Sequence, residues 1–192
     1  MAVLPAPQHH LLTVAEYAAL DEPESGYVEL LEGRLLLSPG PTPDQNLASA
    51  ELYHQVKPQL PDHLMVVREA NVDLELARPG APGFLRRPDL VVVRREARQR
   101  LRAEGGPFRA SEVVVVVETV VPDSRRTDTV AKRGEYADAG IPCYWIVDIA
   151  APVTLVVCRL AEGPGYQDAP AVTGAFRAVA PFPVELALDR LV

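Results

Sequence analysis

The chain has 192 residues, 48% of them hydrophobic and 23% charged, an ordinary globular composition that excludes a disordered or coiled-coil chain and suits one domain over 1–192. No apolar stretch approaches the roughly 20 residues that span a bilayer. The formal net charge of −7 argues against a tight, non-specific nucleic-acid coat, because such binding depends on neutralising phosphates with basic side chains. The opening MAVLPAPQHH lacks a basic segment followed by an apolar one, so no export signal is expected. Cys143 and Cys158 form neither a disulfide framework nor a zinc quartet. The expectation is a reduced, soluble, cytoplasmic protein with free thiols.

Thr13-Val14-Ala15-Glu16 has the form of a capping box, predicting a short helix over 13–20. Tyr27–Leu31 and Arg34–Leu37 flank Glu32-Gly33 and read as a β-hairpin. A proline-rich loop follows, and apolar residues at 47, 48, 52, 56 and 60 predict a helix from Asp44 to about Gln59. Met65–Val67 and the alternating Val72–Leu76 are expected strands. Arg78–Arg87 reads as a loop, and Asp89–Val93 and Val113–Val117 as β-branched runs of the kind covered on both faces. Between them, 94–111 is polar and arginine-rich, helical or partly mobile. Residues 127–139 predict a helix closed by Gly140, followed by strands over 143–149 and 153–160. The segment 161–192 reads as a Gly/Pro-punctuated extension with an edge strand at 184–188. No repeat or composition break marks a second domain. The fold class expected is α+β, a mixed central sheet flanked by helices.

Three polar residues sit where the apolar pattern does not call for them. Asp89 opens one buried-type strand, Glu118 ends another, and Lys132 lies on the helix beyond. If the two strands are neighbours, the carboxylates meet at one sheet edge, where they repel and lose hydration unless a proton or a cation intervenes. Oxygen-only ligands favour Mg²⁺ or Mn²⁺, and a nearby lysine supplies a compact charge for a phosphate oxygen or an attacking water. Taken singly, a solvated strand edge and a plain i,i+4 pair between Asp128 and Lys132 explain the same residues. Seven arginines between 86 and 102 form either a phosphate-facing patch or a solvated face.

These residues fall in a recognisable order. Tyr27-Val28-Glu29-Leu30, Ser38-Pro39-Gly40-Pro41, Arg87-Pro88-Asp89-Leu90, Val115-Val116-Val117-Glu118, Asp128 to Lys132-Arg133 and Tyr144-Trp145-Ile146-Val147-Asp148 occur together. From about residue 12 to 160 the chain resembles the Uma-type restriction endonuclease family, long catalogued as a domain of unknown function, in the PD-(D/E)xK nuclease superfamily. The resemblance implies a restriction-endonuclease-like core with an N-terminal β-hairpin and a Mg²⁺- or Mn²⁺-dependent endonuclease acting on DNA. It gives Asp89, Glu118 and Lys132 catalytic roles and makes Asp89, Glu118 and Glu29 the metal-binding acids. Arg125, Arg126 and Arg87 are the expected nucleic-acid contacts, a homodimer would serve two cuts in a duplex, and no membrane is implied. Two positions depart from the family pattern. Val121 stands where a serine is frequent, and Gln45 where a histidine commonly follows the Ser-Pro loop. The competing reading is a nuclease fold that has lost catalysis and serves as a nucleic-acid-binding or protein-interaction module.

Overall fold

Runs of β-branched residues build the centre of the molecule. In the computed structural model, which describes residues 10–21, 23, 26–38, 40–121 and 127–192, Leu90–Arg94 (β6) and Val113–Val120 (β8) pair antiparallel, with Val91 against Val116 and Leu90 against Val117. Val113, Val115, Val116, Val117 and Val120 are all at most 3% exposed; burying each contributes about 1.5–3 kcal/mol. That burial is possible because both faces of the sheet are covered, as the unbroken apolar runs require. β8 runs on past the valines, so Glu118 and Thr119 lie within the strand.

Cys143–Asp148 (β9) joins β8 in parallel, and Thr154–Leu160 (β10), Tyr166–Asp168 (β11) and Leu64–Arg68 (β3) complete a six-stranded mixed sheet in the order β11-β10-β9-β8-β6-β3. One face packs on the helix Pro43–Val56 (α2), through Ala48, Leu52 and Val56, and on a hairpin formed by Ala175–Ala178 (β12) and Val184–Ala187 (β13). Trp145 is central to this core, with the Phe176 ring edge-on at 5.5 Å and the Phe182 ring at 6.0 Å. The C-terminal segment therefore seals the core, and the expected edge strand at 184–188 pairs instead with β12, off the main sheet.

The opposite face carries the helix Arg133–Asp138 (α4), preceded by a π-helical turn over Thr127–Lys132, and meets a second sheet. That sheet contains the predicted hairpin, Tyr27–Leu31 (β1) with Arg34–Ser38 (β2), and three two-residue strands, Val72–Asp73 (β4), Leu85–Arg86 (β5) and Phe108–Arg109 (β7), in the order β2-β1-β5-β4-β7. At the hairpin turn Glu32 and Gly33 have φ of 50° and 74°, the positive pair that a two-residue turn of this hand requires. A Cβ at Gly33 would stand 2.8 Å from Leu11 Cβ, so glycine is needed there twice over.

The first helix, Val14–Ala18 (α1), begins at Thr13, and its capping box is formed: Glu16 N–H donates to Thr13 Oγ1 and Thr13 N–H to Glu16 Oε2. The strand expected over 72–76 stops at Asp73. The chain turns at Glu75, whose φ is 54° and whose N–H donates to Asp73 Oδ1 at 2.9 Å; this local bond competes with ladder pairing. The arginine-rich excursion holds a helix, Ala97–Glu104 (α3), and β7. Cys143 and Cys158 lie on neighbouring strands but face opposite cores, and both are free thiols. Among the described residues, no helix is long and apolar enough to cross a membrane.

Candidate active site

The β6–β8 ladder sets the position of the two acids. Because Leu90 faces Val117 in antiparallel register, Asp89 and Glu118 are the next residues outward at the same end. Alternation puts them on the sheet face that carries Val91 and Val116, toward α4 and the second sheet. Asp89 Oδ2 accepts from Thr119 N–H at 2.6 Å and from the Thr119 hydroxyl. Burial raises the Asp89 pKa, while the Thr119 bonds and the Lys132 charge pull it down.

Glu118 is 3% exposed. Its Oε1 accepts from Lys132 Nζ at 2.9 Å and from the Tyr136 hydroxyl at 2.7 Å. Burial raises its pKa to about 8, outweighing the Lys132 ammonium, with Asp128 and Asp89 adding repulsion. In the unfolded chain the same carboxyl loses its proton near its ordinary value of 4.5. Between about pH 4.5 and 8 the unfolded state therefore binds fewer protons than the folded one, and stability falls as pH rises through that window. Denaturant unfolding of the metal-free protein should show this decline, and Glu118→Gln should flatten it; an unchanged slope in the variant would assign the titration elsewhere.

Lys132 reaches the acids from the π-helical turn, whose wide winding is frequent at functional sites. Its ammonium lies 2.9 Å from Glu118, 3.2 Å from Asp128 and 3.8 Å from Glu29. The surrounding carboxylates raise its pKa well above the ordinary lysine value against the opposing effect of burial, so it stays charged. The i,i+4 pair with Asp128 exists, but at 4% exposure for each residue it belongs to a buried cluster. The Tyr144 hydroxyl donates to the Asp128 carbonyl at 3.0 Å and pins the turn to β9.

Glu29 is 1% exposed, and both of its oxygens are engaged: Arg86 Nη1 donates to Oε2 at 2.7 Å and Arg87 N–H to Oε1 at 3.0 Å. Arg86, 2% exposed, also donates from Nε and Nη2 to the two oxygens of Glu135, both at 2.6 Å. It thus ties β1 and β5 to α4. Sequence reasoning missed this strut by grouping Arg86 with the other arginines of 86–102. The one available signal was its place beside Leu85, directly before the Arg-Pro-Asp segment. Tyr136, fully buried on α4, serves as a donor to Glu118.

The arginines of 86–102 do not share one surface. Arg94 donates to the Ser111 carbonyl at 2.6 Å, Arg95 to the Leu64 carbonyl at 3.0 Å, and Arg100 to both oxygens of Glu112 at 2.6 and 2.8 Å, while Arg98 and Arg102 are exposed. Arg87 stands at the rim of the acid cluster, its guanidinium 5.7 Å from the Tyr27 ring centre. Arg125 and Arg126 lie outside the described residues. Gln45, in the position where the family often has histidine, takes part in the α2 capping box with Thr42 and donates from Nε2 to the Thr119 carbonyl at 3.0 Å, bracing the end of β8.

Among the described residues, five carboxylates (Glu29, Asp89, Glu118, Asp128, Glu135) thus gather around two cations, Arg86 and Lys132. A buried excess of negative charge of this kind is costly without protons or a further cation. The described contacts of Asp89 all fall on Oδ2, and those of Glu118 all on Oε1. One oxygen of each remains for a ligand.

The chain matches the family model described as "Uma2: Putative restriction endonuclease" over residues 14–190 and belongs to that family. The match runs past Leu160 to Arg190, in keeping with the C-terminal hairpin's place in the core. A crystal structure described as a "putative nuclease belonging to DUF820 from Anabaena variabilis ATCC 29413" shares the fold, with a TM-score of 0.64 and 19% identity over 94% of this chain and 97% of that one. No curated protein matches the chain.

Proposed function

We propose that this protein is a metal-dependent endonuclease of the PD-(D/E)xK type that hydrolyses phosphodiester bonds in DNA. The observation that carries the reading is the meeting of Asp89 and Glu118 across the β6–β8 ladder with the Lys132 ammonium 2.9 Å from Glu118.

The donor set fits a hard divalent cation. No group of three or more His, Cys, Asp and Glu side chains among the described residues forms a ready-made metal cage. Mg²⁺ is commonly held by just one or two carboxylates, the rest of its shell being water and substrate phosphate. Asp89 and Glu118, each with one oxygen uncommitted, would hold Mg²⁺ or Mn²⁺, which lowers the pKa of bound water and offsets charge developing on the phosphoryl oxygens. Thr119 fixes the Asp89 carboxylate, and Tyr136 fixes that of Glu118. Lys132 presents its positive charge at the reacting phosphate. Glu29, already bonded to Arg86 and Arg87, holds Lys132 in place. A homodimer would bring two such centres to the two strands of a duplex, with Arg87 at the rim of each and Arg125 and Arg126 as further phosphate contacts.

The test is cleavage of supercoiled plasmid with Mg²⁺ or Mn²⁺ by the wild type and by Asp89→Ala, together with calorimetric Mn²⁺ titration of both. The wild type should nick the plasmid and take up Mn²⁺, and the variant should do neither. Equal cutting by both proteins would remove the assigned site. The second reading, a nuclease fold retained for nucleic-acid or protein binding, draws on Gln45, which braces β8 in the place where the family often has histidine. It requires a wild type that neither cleaves DNA nor takes up Mn²⁺ through Glu118.

A further inference from the structure

We propose that the Tyr27 hydroxyl is a direct substrate contact, donating a hydrogen bond to a non-bridging oxygen of the scissile phosphodiester. The inference rests on the nuclease reading of the same centre and assigns a residue that the acid–lysine pattern does not include.

Tyr27 opens β1 two residues before Glu29, so both side chains leave the same face of the strand. The ring is held there by pairing of its backbone with Ser38 and by the Arg87 guanidinium 5.7 Å from its centre. Arg87 is fixed in turn by its N–H bond to Glu29. Glu29 on that face lies 3.8 Å from the Lys132 ammonium, so this face of β1 borders the assigned centre.

Its neighbours have committed their polar groups. Tyr136 donates to Glu118, Tyr144 to the Asp128 carbonyl, Thr119 to Asp89, and Lys132 to Glu118. No hydrogen bond from any described residue reaches the Tyr27 hydroxyl. Tyr27 is half-buried, its ring against the Arg87 guanidinium. A phenol keeps its proton at neutral pH. A neutral O–H donor has a particular use here: it can bind an anionic phosphate in a centre rich in carboxylates without adding negative charge. Aimed at the place where charge develops, such a donor stabilises the transition state more than the ground state.

Tyr27→Phe keeps the ring and its contact with Arg87 and removes only the donor. Expected are an unchanged unfolding midpoint and unchanged Mn²⁺ affinity, a kcat for plasmid nicking lowered about a hundredfold, and about tenfold weaker binding of a fluorescein-labelled DNA duplex in Ca²⁺, read by anisotropy. If the wild type cuts and Tyr27→Phe cuts and binds DNA equally well, the hydroxyl is not a phosphate contact, although the nuclease reading stands. If Mn²⁺ affinity falls with activity, Tyr27 serves the acids and not the phosphate, and the proposal fails. A wild type that cuts no DNA overturns the nuclease reading and this inference with it.

Discussion

Replacing Lys132 with Met is expected to destabilise the protein by about 3–5 kcal/mol and, on the nuclease reading, to lower cleavage by about a hundredfold to a thousandfold. The ammonium stands among Glu118, Asp128 and Glu29, all buried. Removing it takes the described cation away from Glu118 and Asp128, while Glu29 keeps Arg86, and it loosens the π-helical turn. Adding Glu118→Gln to Lys132→Met replaces the carboxyl that lost its Lys132 partner, so the double variant should be more stable than the sum of the single effects, by about 0.5–3 kcal/mol of coupling. Urea unfolding of the four proteins of this cycle measures it. Strict additivity would mean that the contact between the two side chains contributes nothing, and the electrostatic account of the centre would then be wrong.

Arg86→Met should cost a similar amount, about 3–5 kcal/mol, although Arg86 is outside the proposed metal-binding and catalytic set. Its guanidinium satisfies Glu29 with one nitrogen and both oxygens of Glu135 with two others. Lysine keeps the charge but lacks the planar fork, so it cannot serve three carboxylate oxygens with the same geometry. Arg86→Lys should fall between the wild type and Arg86→Met in denaturant midpoint. A full return to wild-type stability in Arg86→Lys would show that net charge alone matters. On the nuclease reading both variants should also lose cleavage, because Glu29 loses its anchor 3.8 Å from Lys132. Their Mn²⁺ affinity should fall less than that of Asp89→Ala.

Particular residues show what the sequence revealed and what it hid. The valine run of β8, the Thr13–Glu16 capping box and the Glu32-Gly33 turn each act through neighbours a few positions away, and their local patterns announced them. The juxtaposition of Asp89, Glu118 and Lys132 was suggested by an acid or a cation interrupting apolar periodicity, and given roles by the family's order of motifs. Arg86 was hidden because its partners are 57 and 49 residues distant, and its place beside Leu85 is a weak local signal against six other arginines nearby. The two-residue strands β5 and β7 are too short for any period to register, whereas β4 was announced by its alternation and only its length was overestimated. β11 and β12 lie in the Gly/Pro-rich tail, where composition argued for loop and tertiary contacts decided otherwise. The π-helical turn over Thr127–Lys132 was read as ordinary helix because its apolar spacing is not sensitive to one extra residue per turn.

The hairpin of β12 and β13 closes over Trp145, whose strand β9 lies parallel to the one carrying Glu118. A recombination point between tail and centre would separate an aromatic lock from the residue it fits. Exchange of the acid-bearing strands between relatives would succeed only when the closing hairpin travels with them, and drift in Phe176 or Phe182 would be felt at Trp145 before it reached any charged group.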